Sequence, residues 1–172
     1  VVLELVGEQG SAKSKTQDVL RDFIDPNQVN LRAKPKNRES LFISAENSHL
    51  ISYENLSHLQ PEMQDAFCTL ATGGGFAARM LFTDKEEIII DVKRPVILNG
   101  ISVLVTAQDL LDRTIHIDMP RIINRKTEKE IEKEISENKG TIWAGLLDLL
   151  ADALKILPSV KIGQEALPRM AD

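Results

Sequence analysis

The residues best equipped for chemistry lie near the start of the chain. Gly7-Glu8-Gln9-Gly10-Ser11-Ala12-Lys13-Ser14 approximates G-x-x-x-x-G-K-[ST], the pattern of a phosphate-binding loop. In such a loop glycines let successive backbone N–H groups turn inward around phosphate oxygens, at the start of a helix whose dipole favours anions. Lys13 would reach the β- and γ-phosphates of ATP and Ser14 would give its hydroxyl to Mg2+, with Lys15 following in the first helical turn. Ala12 replaces the second glycine, and its methyl is tolerable if the backbone there keeps a negative φ.

An ATPase of this kind also needs a strand that ends in a carboxylate, to orient the metal-bound water, and a neighbouring base. Two apolar runs end in acids, Leu50 to Glu54 and Glu87 to Asp91. Three residues separate Asp91 from the next apolar run, too few for the crossover that parallel neighbours require, so Asp91 is assigned to a hairpin. Glu54 is therefore the expected metal-side carboxylate, together with Ser14. Asn55 stands where a catalytic base is usual, which makes nucleotide binding a firmer expectation than hydrolysis. His49, His58 and His116 have no metal-ligand spacing, nothing sets Ser57 or Ser159 beside a base, and Cys68 reads as core.

These groups have to be held by a scaffold, and the apolar pattern outlines one. Val1 to Val6 reads as a buried strand that Gly7 ends, and Lys13 to Ile24 as a helix facing inward through Val19, Leu20, Phe23 and Ile24. A short strand over Val29 to Arg32, a helix near Glu39 to Glu46 and a strand over His49 to Tyr53 follow. Pro61 opens a helix that Gly73-Gly74-Gly75 ends. Met80 to Thr83 and Glu87 to Val92 flank the polar Asp84-Lys85-Glu86, a hairpin pattern. Val96 to Leu98 makes a strand with Asn99 at its end, and a helix over Gln108 to Asp112 leads to a last strand, Thr114 to Asp118. Strands alternating with helices predict a largely parallel α/β sheet flanked by helices. Beyond it, a charged helix over Thr127 to Glu137 is expected to break at Gly140, and the stripe from Trp143 to Leu157 to form a second helix. The predicted organisation is a core over residues 1–122 and a small helical lid over 123–172, packed on the sheet.

Composition narrows the function classes. With 172 residues, 42% of them hydrophobic, the chain can bury a real core, and its net charge of -5 restricts any DNA contact to a local basic patch. One cysteine cannot build a disulfide framework or a zinc site, and no apolar run reaches the length of a membrane span, so a cytoplasmic protein is expected. The apolar strand that begins at Val1 is expected of a piece of a longer polypeptide.

Five segments carry a resemblance. They are residues 7–14, Tyr-Glu-Asn-Leu-Ser at 53–57, Leu-Ala-Thr-Gly-Gly-Gly-Phe at 70–76, Arg-Pro-Val-Ile-Leu-Asn-Gly-Ile at 94–101 and Asp-Leu-Leu-Asp-Arg at 109–113. Together they resemble the phage- and mobile-element-encoded ATP-binding proteins related to primase-associated helicases, over almost the whole chain. The resemblance implies a P-loop NTPase core of AAA+ type within the third helicase superfamily. It implies that Asn99 is the polar sensor that helps hold the attacking water and that Arg113 completes the site of a neighbouring subunit in a homo-oligomeric ring. It also implies that the hairpin grips single-stranded DNA, with Lys85 at its tip. The chain departs from the family at Glu54, where Asp is usual, and at Lys15, where Thr or Ser is common. A helicase-like motor in phage or mobile-element replication is the leading expectation. A nucleotide-gated assembly module with little hydrolysis is the alternative, and a small-molecule phosphotransferase is disfavoured by a lid segment dominated by Glu, Lys and Leu.

Overall fold

The computed structural model describes residues 1–79 and 87–161. They divide into two compact units, Val1–Ile122 and a second unit of which residues 123–161 are described.

The first unit is built on four parallel strands in the order β2-β5-β1-β6: β1 is Val2–Val6, β2 Ile51–Leu56, β5 Val96–Gly100 and β6 Thr114–Asp118. A strand flanked on both edges and covered on both faces is mostly apolar, and β5 is buried at all five residues, the polar Asn99 among them. This order places β5 between β1 and β2, so the loop after β1, the end of β5 and the end of β2 open on one edge of the sheet. The strand expected over Val29 to Arg32 reduces to a single parallel bridge from Arg32 to Tyr53.

The two faces of the sheet are covered differently. Against one lie α2 (Arg38–Glu46), α3 (Pro61–Thr72) and α4 (Gln108–Leu111), where Leu41, Phe42, Phe67, Leu70 and Leu110 meet Val2, Tyr53 and Leu98 in the main core. Against the other lies α1 (Lys13–Ile24), over a small cluster of Leu5, Leu50 and Ile97. The apolar residues of α1 were expected to face inward, yet its buried residues are Lys13, Gln17, Arg21 and Phe23, and Ile24 is 52% exposed. Lys13, Gln17 and Arg21 are spaced i, i+4, i+8, so the buried stripe is mostly polar.

Between α3 and β5 the chain forms an antiparallel pair, β3 (Gly74–Arg79) with β4 (Glu87–Val92), in which Gly74 faces Val92 and Arg79 faces Glu87. Gly73, at φ 88°, ends α3, but Gly74 and Gly75 open a strand instead of extending the terminator. The expected first strand at 80–83 and the tip residue Lys85 lie outside the described residues. Asp91 sits opposite Gly75 in this pair and not in the parallel sheet.

The described residues of the second unit form one helix, α5 (Glu128–Ile156), followed by a 3-10 turn over Leu157–Ser159. The expected break at Gly140 does not occur. A glycine in a helix interior costs about 1 kcal/mol relative to alanine, an amount that 29 helical residues and a Thr127–Glu130 capping box absorb. The leucine stripe expected to be core is exposed, with Leu147 at 57% and Leu150 at 54%, and α5 has no buried residue. Among the described residues no helix is long and apolar enough to cross a membrane.

Candidate functional site

The glycine loop leaves the sheet where no side chain fits. Gly7 donates its N–H to the Gly100 carbonyl at 3.3 Å, and a Cβ on Gly7 would run into the Met119 carbonyl and the Ser11 hydroxyl. Ser11 turns the loop back by donating its N–H at 3.3 Å and its hydroxyl at 2.9 Å to the Glu8 carbonyl. Gly10 has φ 88° and Ala12 has φ 59°, ψ 24°. The condition set for Ala12 is therefore not met: the turn into α1 needs a left-handed residue, and alanine adopts that conformation here against its Cβ. Lys13, the first residue of α1, folds its ammonium into the loop and donates to the carbonyls of Gly7 at 2.6 Å and Glu8 at 2.9 Å and to Ser11 Oγ at 3.3 Å.

A cavity of about 640 Å³ opens beside this loop. Gln9, Gly10, Ala12, Lys13, Ser14 and Lys15 line it from the loop and the start of α1, Asn55, Leu56 and Ser57 from the end of β2, and Gly100, Ile101 and Ser102 from the end of β5. Asn55 is among the lining residues and Glu54 is not. Glu54 is half-buried and donates its N–H to the Arg32 carbonyl at 2.9 Å. Asn55 is left-handed at φ 53°, and the β2–β5 register shifts between Tyr53 and Leu56, so the carboxylate strand carries an irregularity at the residues of interest.

Asn99 is fully buried beneath the cavity and does not line it. Its Oδ1 accepts the Asn55 N–H at 2.9 Å, and its Nδ2 donates to Gln17 Oε1 at 2.6 Å. Gln17, also fully buried, donates through Nε2 to Ser52 Oγ at 2.8 Å and to the Tyr53 carbonyl at 3.0 Å. Sequence reasoning missed Gln17, whose partners are 35 to 82 residues away. Its one visible signal was a polar residue one turn beyond Lys13.

Arg113 is not brought to this cavity. It directly precedes β6, whose Thr114 pairs with Val2, so it occupies the edge of the sheet opposite the glycine loop. Its carbonyl accepts the Val2 N–H at 2.9 Å and its Nη1 donates to the Asp109 carbonyl.

Two further groupings lie elsewhere, of which the first was not foreseen and the second contains the basic connection Lys34, Lys36 and Arg38. Glu4, in mid-β1 and fully buried, accepts the N–H groups of Leu104 at 2.5 Å and Val105 at 3.0 Å through Oε1. Its Oε2 lies 2.8 Å from His116 Nδ1, and His116 Nε2 lies 3.1 Å from Asp118 Oδ1. These hydrogen bonds, to Glu4 foremost and then Asp118, raise the His116 pKa above its ordinary value. The other grouping is a second cavity of about 430 Å³ between the segment before α2 and the start of α3. Lys34, Lys36 and Arg38 line it, with Glu39 and Glu62 as acidic neighbours and Phe76 from β3. The Phe76 ring stacks on Phe42 at 4.9 Å and lies 5.9 Å from the Arg38 guanidinium. Among the described residues no group of three or more His, Cys, Asp or Glu is placed to hold a metal ion.

Comparison with known proteins adds two findings. The family model described as actinomycete integrative conjugative element replication protein matches residues 2–172. Among solved structures the chain is similar to the A form apo structure of the NrS-1 C terminal region, with a TM-score of 0.56 and 18% identity over 80% of this chain and 33% of that one. This likeness supports the α/β fold, and the chain spans about a third of the length of that structure. No curated protein matches the chain.

Proposed function

Since the chain belongs to the replication proteins of actinomycete integrative conjugative elements, we propose that it is the nucleotide-binding core through which such a protein acts on DNA. The observation that carries this reading is the glycine loop, which wraps the Lys13 ammonium at the sheet edge beside a cavity of about 640 Å³. Backbone N–H groups at the start of α1, the cation of Lys13 and the hydroxyl of Ser14 make the donor set that Mg-ATP requires. When phosphate arrives, Lys13 exchanges its bonds to the Gly7 and Glu8 carbonyls for phosphate oxygens, replacing neutral acceptors with charged ones. Ser14 would hold the metal, whose role is to neutralise charge on the phosphates, while Glu54, the carboxylate expected beside it, does not line the cavity. Asn55, from β2, faces the same cavity.

Arg113 lies on the opposite edge of the sheet, and in this reading it would serve the nucleotide of a second copy in a homo-oligomeric ring. For DNA, Lys34, Lys36 and Arg38 supply local positive charge in a chain of net charge -5. Lys85, outside the described residues, would add a further cation.

One observation favours the alternative, a nucleotide-gated module with negligible turnover: the strand-end residue lining the cavity is Asn55 and not a carboxylate. One set of measurements decides both. Titration with a fluorescent ATP analogue and Mg2+ should show saturable binding that Lys13→Ala abolishes, and equal affinity of the two proteins removes the nucleotide reading. An ATPase assay with and without single-stranded DNA then separates motor from module.

A further inference from the structure

A helix face turned toward a sheet is ordinarily apolar, and a glutamine there is costly unless each of its polar atoms is matched. Gln17 is matched by four strand residues, Ser52, Tyr53, Ile97 and Asn99, and the sense of every bond is fixed. The Tyr53 carbonyl can only accept, so the amide nitrogen of Gln17 must face it and Oε1 must face Asn99. Asn99 must then present Nδ2 to Gln17, which leaves Oδ1 for the Asn55 N–H, a group that can only donate. The two ends of this relay, the Tyr53 carbonyl and the Asn55 N–H, lie two residues apart on β2. Both lie in the stretch from Tyr53 to Leu56 over which the β2–β5 register shifts. Two buried amides thus bridge the irregularity in the strand and hold Asn55 at φ 53° beside the cavity.

The other attachment of the relay is α1. Gln17 lies one turn beyond Lys13, so a displacement of the first turn of α1 acts on a 2.6 Å bond that tolerates little stretching. We propose that Gln17 is a positioning residue, which ties the placement of the glycine loop and the start of α1 to the backbone of Glu54 and Asn55 through Asn99. Loop and carboxylate strand then respond to a bound nucleotide as one unit. The clasp itself is independent of the nucleotide reading; only its response to nucleotide rests on that reading.

The test is amide hydrogen exchange at Asn55, followed by NMR on the whole chain. Without nucleotide, Gln17→Met, which keeps the volume and removes the amide, should speed Asn55 exchange at least tenfold while the Phe67 and Leu98 amides stay within twofold. Gln17→Asn, one methylene short, should show the same selective loss and serves if the methionine variant does not fold. Gln17→Glu, buried and protonated, can still donate to the Tyr53 carbonyl and accept from Asn99, and should keep Asn55 exchange within threefold of wild type. With Mg-ATP, Asn55 exchange in the wild type should change at least fivefold, whereas Gln17→Met should bind the fluorescent analogue within threefold of wild type and show no such change. Asn55 exchange in both loss variants within twofold of wild type, or an unaltered nucleotide response in Gln17→Met, overturns the proposal. If the wild type binds no nucleotide, the nucleotide reading falls and the arm without nucleotide still decides the clasp.

Discussion

Ala12 offers a direct test of the loop geometry. Its φ of 59° and ψ of 24° lie in the left-handed region, where an L-residue with a Cβ is disfavoured by about 1–2 kcal/mol. Replacing it with glycine removes that strain. Two losses oppose the gain: the unfolded chain gains freedom, which costs about 0.4–1 kcal/mol, and one half-buried methyl is lost, worth about 0.4 kcal/mol. The balance of the three leaves Ala12→Gly more stable by about 0.5 kcal/mol. In urea denaturation this moves the midpoint up by about 0.2–0.5 M, given slopes of about 1–3 kcal/mol/M. The comparison that sharpens the test is Ala12→Val, because a β-branched residue is an outlier in the left-handed region and should destabilise by more than about 1 kcal/mol. If glycine lowers the midpoint while valine leaves it unmoved, the backbone at residue 12 is not left-handed and the account of the loop fails.

Three other outcomes follow from described contacts. Gly7→Ala forces a methyl against the Met119 carbonyl and the Ser11 hydroxyl, so it should lower stability by about 1–3 kcal/mol; wild-type denaturation would mean the loop leaves β1 by another path. Gly140→Ala and Gly145→Ala add methyls where nothing lies within 4 Å, so each should stabilise α5 by about 0.5–1 kcal/mol, seen as a higher melting temperature of the helical circular dichroism signal. The raised pKa of His116 means that its contribution is complete below the ordinary value of 6.5 and is lost as pH rises through the folded-state value. The stability difference between wild type and His116→Gln should therefore be larger at about pH 5.5 than at about pH 8.5, and a constant difference would show that the Glu4 and Asp118 contacts do not stabilise the charged ring.

The positions of the parallel strands and the place of the glycine loop were legible because both rest on local signals, an apolar run and a glycine-rich turn. Asp91 was correctly kept out of the parallel sheet on connection length alone. The strand at Gly74–Arg79 was not legible, since glycines and alanines carry no side-chain alternation and its pairing with β4 is decided across an intervening segment. Gly140 misled in the opposite sense, because a helix breaker acts by a penalty of about 1 kcal/mol that a long helix can absorb. The polar members of the site were hidden for a different reason. Gln17 and Glu4 are buried against partners up to 112 residues away, and a sequence window cannot separate a matched buried amide or carboxyl from a solvated one. Ala12 shows the limit of motif matching, which names a residue type without the torsion angle it will adopt.

The unequal covering of the sheet also sets how the first unit responds to temperature. Exposure of apolar surface raises heat capacity and exposure of polar surface lowers it. Parting α2 and α3 from the sheet uncovers Phe42, Phe67, Leu41 and Leu70, so the free energy of that seam is strongly curved with temperature and weakens on cooling. Parting α1 uncovers Lys13, Gln17 and Arg21 over a cluster of three apolar residues, so its heat-capacity change is small and its free energy runs nearly straight. In the cold the aromatic side of the sheet loosens first, and the side bearing the glycine loop keeps its grip.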